Sequence, residues 1–448
     1  MFVVVIGLGE VGRHVVRTLE WEKHDVVAVD LDPASIHAVE EHHDVMTLQG
    51  YGASPRVLTQ ARSKDADLVV AVTDKDEINL MAAITAKSLG AKRAIARVEG
   101  REWCTADSTG VDFDYLGVDV VFNPKLLLAR ELAKIAQSHG ASEVIELAND
   151  RVEIVAVDLS AGSRKLGKAI SRIPIPSDVL IAAIVRDGEL FVPGGNDVLV
   201  MNDRIYLVGL PEQLLAAEDL FTKSREAHNV CVVGGGVIGE NLAGALQHQG
   251  AKVTLIEKNR EIAHRIKTAH PGITVLHGDG TDLELLREYE IGTYDFFAAC
   301  THEDEVNLMA GLLAKRIGTE RTATVVHRPD YVDIHKQLGI HSVLSPRQLA
   351  ADHVLRFVRH RKMKSIATLE DGAAQLLEIR ALEGARAVGL PLSKMKVPRG
   401  AILCTIIRGP SVIIPNGSTV LEEGDTVIAL CTERAFPPLH ALFKQRAF

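Results

Sequence analysis

One short pattern occurs twice and restricts the fold more than anything else in the chain. The stretch VVVIGLGEVGRHVVRTLE (3–20) and the stretch VCVVGGGVIGENLAGALQ that starts at Val230 are built alike. Each reads as an apolar, β-branched strand, a G-x-G-x-x-G turn and an amphipathic helix. Gly7 and Gly234 lie 227 positions apart, as do Gly12 and Gly239. A strand that passes through such a turn into a helix opens a βαβ unit, so each copy predicts its own parallel sheet.

The likeness runs far beyond the glycines. VVAVTDKDEINLMAAITAKSLGAKR (69–93) returns as FAACTHEDEVNLMAGLLAKRIGTER (297–321), with Thr73 matching Thr301 and Asn79 matching Asn307 at an offset of 228. LGVDVVFNPKLLLARELAKI (116–135) returns as LGIHSVLSPRQLAADHVLRF (338–357), and LFVPGGNDVLVMNDRIYLVG (190–209) as VIIPNGSTVLEEGDTVIALC (412–431), both at 222. A small, drifting offset over this span means that one ancestral unit was duplicated whole, with short loop insertions and deletions.

Within each half the hydrophobic period changes. Residues 1–122 alternate short Val/Ile/Ala strands (near 2–6, 25–29, 44–48, 67–72, 92–97 and 118–122) with helical stretches (near 10–20, 33–41, 54–62, 75–89 and 101–108). Strands that are apolar on both faces and alternate with helices predict a parallel sheet covered on both sides. Residues 143–222 read instead as short, mostly antiparallel strands with Asp-Gly and Gly-Gly turns, a small α+β lobe. The second half repeats both textures, α/β over 228–345 and α+β over 366–448. One linker helix joins the textures in each half, over 123–142 and 346–362, with Pro124 and Pro346 near its start, where a missing N–H costs little. Its apolar residues cover more than one face. That suits either packing on its own lobe or exchange between subunits.

The turns predict a nucleotide. Gly7 and Gly234 allow the strand to reverse into the helix, Gly9 and Gly236 let the backbone approach a pyrophosphate, and Gly12 and Gly239 let helix and strand pack closely. Leu8, Glu10 and Val11, with Gly235, Val237 and Ile238, complete the turns, and the amides at the helix start face the phosphates. An acid follows at a set distance: Asp30 ends VVAVD and Glu257 ends VTLIE, each 18 residues after the last glycine. A carboxylate there accepts ribose hydroxyls and favours NAD over a 2′-phosphorylated cofactor. After the fourth strand come Thr73-Asp74 and Thr301-His302. The acids Asp76 and Asp304 three residues later also make the threonines N-cap candidates. Arg97 ends the fifth strand, where it reaches a phosphate, another subunit or solvent, and Val325 stands in its place in the second half. Asp279 suits an adenine or ribose edge, but Tyr51 replaces it in the first half, so the two sites are not identical.

Neither half displays catalytic chemistry. A dinucleotide enzyme needs a base, acid or metal cluster facing the reactive ring. Residues 143–222 contain no His or Cys, and Cys404, Cys431 and His440 in the second small lobe are too dispersed for a metal site. The five cysteines (104, 231, 300, 404, 431) form no C-x-x-C pair, and Cys231, Cys300 and Cys431 read as buried hydrophobes in a reducing cytosol. The net charge of −9 with scattered Lys and Arg argues against nucleic acid. No apolar run approaches the ~20 residues needed to span a bilayer. Binding without chemistry predicts a sensor in which a ligand shifts a conformational equilibrium.

Together GLGEVG…VD and GGGVIG…IE, T-x-x-D-E-x-N after the fourth strand and VDVVFNPKLLLAREL resemble the TrkA family, built from tandem RCK (regulator of potassium conductance) units. The resemblance covers essentially the whole chain. It implies an α/β fold of two RCK units, each a Rossmann-type doubly wound parallel sheet (N-lobe) with a small α+β C-lobe. It implies NAD(H) and also ATP or ADP in the N-lobes, and a homotetrameric ring formed through N-lobe pairs. It places that ring in the cytoplasm, peripheral on the membrane beneath a separate Trk potassium-translocating subunit, as its gating partner and not as an enzyme. The glycine turns, Asp30, Glu257, Thr73-Asp74, Thr301-His302, Arg97 and Asp279 carry over as site residues. Gln49-Gly50-Tyr51 departs from the family's usual G-D-A/G. The alternatives are an NAD-dependent oxidoreductase and an RCK regulator of a different cation channel or exchanger.

Overall fold

The computed structural model describes residues 1–21, 23–100, 103, 113, 115–148, 151–160, 163, 165–222, 227–328, 330–358, 363–370 and 373–444. They form two compact units: Met1–Arg130, Cys231–Thr293 and Phe297–Val358 make one, and Glu131–Val230, Tyr294–Phe296 and Arg359–Phe448 the other. Like parts of the two halves are thereby grouped, N-lobe with N-lobe and C-lobe with C-lobe.

In the first N-lobe the order is β1 (Phe2–Ile6), α1 (Glu10–Trp21), β2 (Asp25–Asp30), α2 (Pro33–Glu40), β3 (Met46–Gln49), α3 (Pro55–Gln60), β4 (Leu68–Ala71), α4 (Asp76–Leu89), β5 (Ala94–Arg97) and β6 (Val120–Phe122). The sheet runs β3-β2-β1-β4-β5-β6, all parallel where paired. Val3–Ile6 and Leu68–Ala71 are buried throughout because helices cover both faces, which explains why these strands read as unbroken apolar runs. The strand order reverses between β1 and β4, so a crevice opens at their carboxyl ends. Pro33 and Pro55 sit in the first turns of α2 and α3, and the Asp32 carboxylate accepts from the Ala34 and Ser35 amides to start α2. The helix predicted over 101–108 falls, apart from Trp103, outside the described residues.

The linker helix α5 (Pro124–Gln137) leads into β7 (Ala141–Leu147), β8 (Val152–Asp158), β9 (Val179–Arg186), β10 (Glu189–Phe191), β11 (Arg204–Gly209) and α6 (Pro211–Phe221). This C-lobe is an antiparallel sheet ordered β10-β9-β11-β8-β7. The hairpin β9–β10 turns on Asp187-Gly188, both at positive φ, as the sequence predicts.

The second N-lobe repeats the first: β12 (Asn229–Val233), α7 (Val237–His248), β13 (Lys252–Glu257), α8 (Arg260–Ala269), β14 (Thr274–His277), α9 (Leu283–Glu288), β15 (Phe296–Ala299), α10 (Asp304–Ile317), β16 (Arg321–Val325), α11 (Tyr331–Gln337) and β17 (Ser342–Leu344), with sheet order β14-β13-β12-β15-β16-β17. Helix α12 (Pro346–Val358) precedes β18 (Met363–Leu369), β19 (Ala374–Arg380), β20 (Ala401–Arg408), β21 (Ser411–Ile413), β22 (Thr426–Thr432) and α13 (Phe436–Phe443). Their sheet order, β18-β19-β22-β20-β21, matches the first C-lobe strand for strand. The repeat extends to buried charge: Arg186 forks onto Asp203, and Arg408 onto Asp425, each carboxylate almost wholly buried.

The two halves also share cores. Ile145, Ile154 and Tyr206 pack in one cluster with Leu376, Cys404 and Leu430, and the Tyr206 hydroxyl donates to Glu370 at 2.7 Å. In the other unit Ala350, Ala351, Val354 and Leu355 of α12 complete the apolar cluster around Val11, Val15 and Leu19 of α1. The Phe122 and His353 rings lie 4.9 Å apart, and Arg93 donates to the Phe357 carbonyl. The linker helix of the second half thus packs on the N-lobe of the first, within one chain. A helix with apolar residues on more than one side needs a second partner, and the duplicated lobe provides it.

Candidate functional site

Each glycine turn sits where its sheet reverses order. Gly7 has φ +94° and Gly234 φ +97°, values open to glycine. The three glycines of a turn are required for different reasons. A Cβ on Gly7 would lie 2.7 Å from the Thr73 amide nitrogen, and one on Gly12 only 1.8 Å from the Gly7 carbonyl oxygen. In the second turn a Cβ on Gly239 would approach the Gly234 oxygen to 1.9 Å. On Gly9 and Gly236 a Cβ would meet nothing within 4 Å. Protein packing therefore does not require glycine at these middle positions. The open space above them has the fit expected for a pyrophosphate lying on the backbone.

The acids brace the turns. Asp30 accepts from the Leu8 amide at 2.5 Å and the Asp32 amide at 2.9 Å. Glu257 accepts from Gly235 at 2.5 Å and Asn259 at 2.6 Å. Each carboxylate is half-buried at the crevice edge, where a ribose would meet it.

The N-cap reading of Thr73 and Thr301 is corrected. Lys75 and Glu303 occupy the cap positions, with no side-chain cap bond. The Thr73 hydroxyl and amide both donate to Asn79 Oδ1, at 2.7 and 2.8 Å, while Asn79 Nδ2 donates to the Thr73 and Arg97 carbonyls at 3.0 and 2.8 Å. Asn307 repeats this with Thr301 and Val325. These wholly buried asparagines pin the ends of the fourth and fifth strands together. Their match across the repeat is visible in the sequence; their task is not. Asp76 and Asp304 also reach across, accepting the Glu99 and Gly100 amides and the His327 and Arg328 amides respectively. Burial alone would raise the Asp304 carboxyl, but those two amides and the His327 ring outweigh it and hold the group below the usual range.

Around these shared parts the two sites differ. Leu8 is fully buried in the first lobe, whereas a Cβ on its counterpart Gly235 would come within 2.5 Å of Ile266 and 3.0 Å of Ile262. The matching residues of the first half are the smaller Val39 and Ser35, so bulk has moved from the turn to the following helix. Glu10 pairs with Arg347 of α12, Asp74 is exposed beside Lys75, and Arg97 pairs with Glu99. The second turn opens into a cavity of roughly 460 Å³, lined by Gly235–Ile238, Glu261, Ile262, Arg265, Cys300, His302, His327 and Lys125 of α5. That volume lies in the range of small-molecule sites. Asp279 accepts from the Thr281 amide and hydroxyl at 2.9 and 2.7 Å and pairs with Lys258, which together hold its carboxyl down at about 2. Its stabilising contribution is therefore present above the ordinary carboxylate range and lost as pH falls through about 2. A carbon-detected NMR titration should find Asp279 ionised at about pH 3; protonation near the ordinary value of about 4 would contradict the local network.

Lys125 and Arg347 escape a reading of the sequence as site residues, because each begins a linker helix of the opposite half and only the fold carries it to the other turn. Burial pushes the Cys300 thiol up to about 12, so it lines the cavity as an inert group. Among the described residues no His/Cys/Asp/Glu group could hold a metal, and no helix is long and apolar enough to cross a membrane.

Comparison with known proteins follows the same division. Residues 3–124 and 230–346 match the TrkA-N domain family, and 154–222 and 376–444 the TrkA-C domain family. A "Trk system potassium uptake protein TrkA homolog 1" of Methanosarcina mazei is 33% identical over 99% of this chain and 100% of its own length. The "Trk system potassium uptake protein TrkA" of Haemophilus influenzae is 31% identical over the full length of both. A structure of the GsuK channel superposes with a TM-score of 0.64 at 21% identity, covering 98% of this chain and 78% of that one. The chain belongs to the TrkA family.

Proposed function

We propose that this protein is the regulatory, gating subunit of a Trk-type potassium uptake system. It binds NAD(H), and ATP or ADP, in its two N-lobes and transmits their occupancy to a separate membrane-embedded, potassium-translocating subunit. The observation that carries the reading is the doubled turn: two middle glycines with open space above them, two bracing carboxylates, and relatives named for Trk potassium uptake that match end to end. The GsuK channel, whose fold is similar, is described bound to NAD in one structure and to ADP in another. A sensing role needs only that the ligand prefer one arrangement of the lobes, and several sites of moderate preference add up. The protein would then act at the cytoplasmic face of the membrane, as a tetrameric ring assembled through N-lobe pairs.

The test is to co-purify the chain with a Trk-type membrane subunit and measure potassium flux with NADH, ATP and ADP. Absence of a complex, or flux indifferent to every nucleotide, would sink the proposal. At the level of the site, Asp30→Ala and Glu257→Ala should each weaken nucleotide binding at one turn by about tenfold, roughly 1.4 kcal/mol. Calorimetric isotherms unchanged in both variants would remove the carboxylates from the site.

A further inference from the structure

The two turns carry different side chains on the side away from the ribose-binding acid, richer in nitrogen bases at the second and in carboxylates at the first, and we read this as separating their ligands. A nucleotide whose ribose meets the acid at the end of the second strand runs its phosphates over the turn and extends towards the ends of the fourth and fifth strands. In the second N-lobe those ends present His302 and His327, with Lys125 and Arg265 also on the cavity wall. Their counterparts in the first N-lobe are Asp74, Glu99, Arg347 and Ala38. Two histidines are thus replaced by two carboxylates, and a third carboxylate, Glu10, stands within the first turn where the second has Val237.

The basic side chains differ in their engagement too. In the first lobe Arg347 is paired with Glu10 of the turn and Arg97 with Glu99. In the second, Lys125 is paired with Glu99 at 2.9 Å, Arg265 with Glu240 at 3.1 Å and His327 with Asp304 at 2.9 Å, while Glu261 is the acid on the cavity wall itself. Glu99, Glu240 and Asp304 are not among the residues that line the cavity, whereas Lys125, Arg265 and His327 are, and Lys125 and Arg265 carry more N–H donors, and His327 a second ring nitrogen, than these pairs use. A terminal phosphate suits this wall. Beside Asp74, and with Glu10 and Glu99 already holding the nearby arginines, a terminal phosphate gains less, whereas a nicotinamide end brings an amide donor and no terminal phosphate.

We propose that the second turn is the site for a nucleoside di- or triphosphate, gripped at its terminal phosphate by His302, His327 and Lys125, and that the first turn takes the dinucleotide. Lys125 belongs to the linker helix of the first half, so the polyphosphate site is complete only when α5 is docked. The inference rests on the proposed nucleotide sensing and adds which turn holds which ligand.

The test titrates the full-length chain separately with ADP and NADH by calorimetry. Gly236→Ala and Gly9→Ala localise each ligand, since neither added Cβ meets protein within 4 Å. His302→Asp/His327→Glu gives the second site the acids of the first, and Lys125→Gln removes the cation with little risk to folding. Gly236→Ala should abolish ADP binding and keep one NADH per chain, and Gly9→Ala should do the reverse. The double variant and Lys125→Gln should each weaken ADP by about tenfold or more while NADH changes less than threefold. ADP binding lost in Gly9→Ala but kept in Gly236→Ala would overturn the assignment, as would ADP affinity unmoved by both charge variants. A wild-type chain that binds neither nucleotide would instead bring down the sensing role itself.

Discussion

Gly12→Ala should unfold the first glycine turn, whereas Gly9→Ala should leave the protein as stable as before and remove its ligand. The two glycines are three residues apart in one motif, yet the space around them is opposite. At Gly12 the added carbon would stand 1.8 Å from the Gly7 carbonyl oxygen, less than a van der Waals contact with backbone on both sides. No flexible side chain is available to move away. The start of α1 must therefore separate from the end of β1, at a cost of about 3 kcal/mol or more. Gly239→Ala should behave alike in the second lobe, with its contact at 1.9 Å. At Gly9 the new methyl projects into open space, so urea unfolding should shift by less than about 0.5 kcal/mol. Hydrogen exchange over residues 3–20 provides the local measure. Protection lost in Gly12→Ala and kept in Gly9→Ala is the expected pattern. Equal protection in the two would mean that helix and strand are not in contact through these glycines.

Asn79→Ala should cost about 2–4 kcal/mol although the residue touches no ligand. Its amide satisfies the Thr73 amide, the Thr73 hydroxyl and two carbonyls at once, those of Thr73 and Arg97. Alanine leaves these groups buried without partners, and desolvation of each is then uncompensated. The structure around Asn307 predicts the same for Asn307→Ala. Nucleotide affinity should fall as well, because the strand ends that face the crevice are no longer held together. Asn79→Asp is the informative companion: its carboxylate retains the acceptor for Thr73 but cannot donate to the Thr73 and Arg97 carbonyls. A loss intermediate between wild type and Asn79→Ala, read by thermal melting, is expected. An Asn79→Ala chain with an unchanged melt would show that the pin carries no weight.

Gly12 and Asn79 lie on either side of what a sequence discloses. A turn that passes from strand to helix has its glycines fixed by local backbone geometry, so Gly7, Gly9 and Gly12 and their twins are legible from spacing. The acids Asp30 and Glu257 are legible for the same reason: one βαβ unit sets their distance from the turn. Thr73 reads wrongly as a cap because a threonine three residues before an acid fits that pattern, while the partner that claims its hydroxyl is a buried amide further along the helix. Arg97 has several destinations open to it in the sequence, and the fold joins it to Glu99, which also holds Lys125.

The duplicated α/β and α+β textures follow from periodicity, since a strand covered on both faces and one covered on a single face need different residues. Residue pattern alone therefore sets the twofold plan, the turns and the acids that brace them. Which half completes which site is a matter of the folded chain. Helix α12 lies on α1 of the opposite half, Arg347 meets Glu10, and Lys125 enters the wall of the second cavity. Both linker helices carry apolar surface in excess of one face, and two equivalent lobes in one chain offer equivalent surfaces to bury it. Local pattern is indifferent to that choice. Packing of the whole chain settles it.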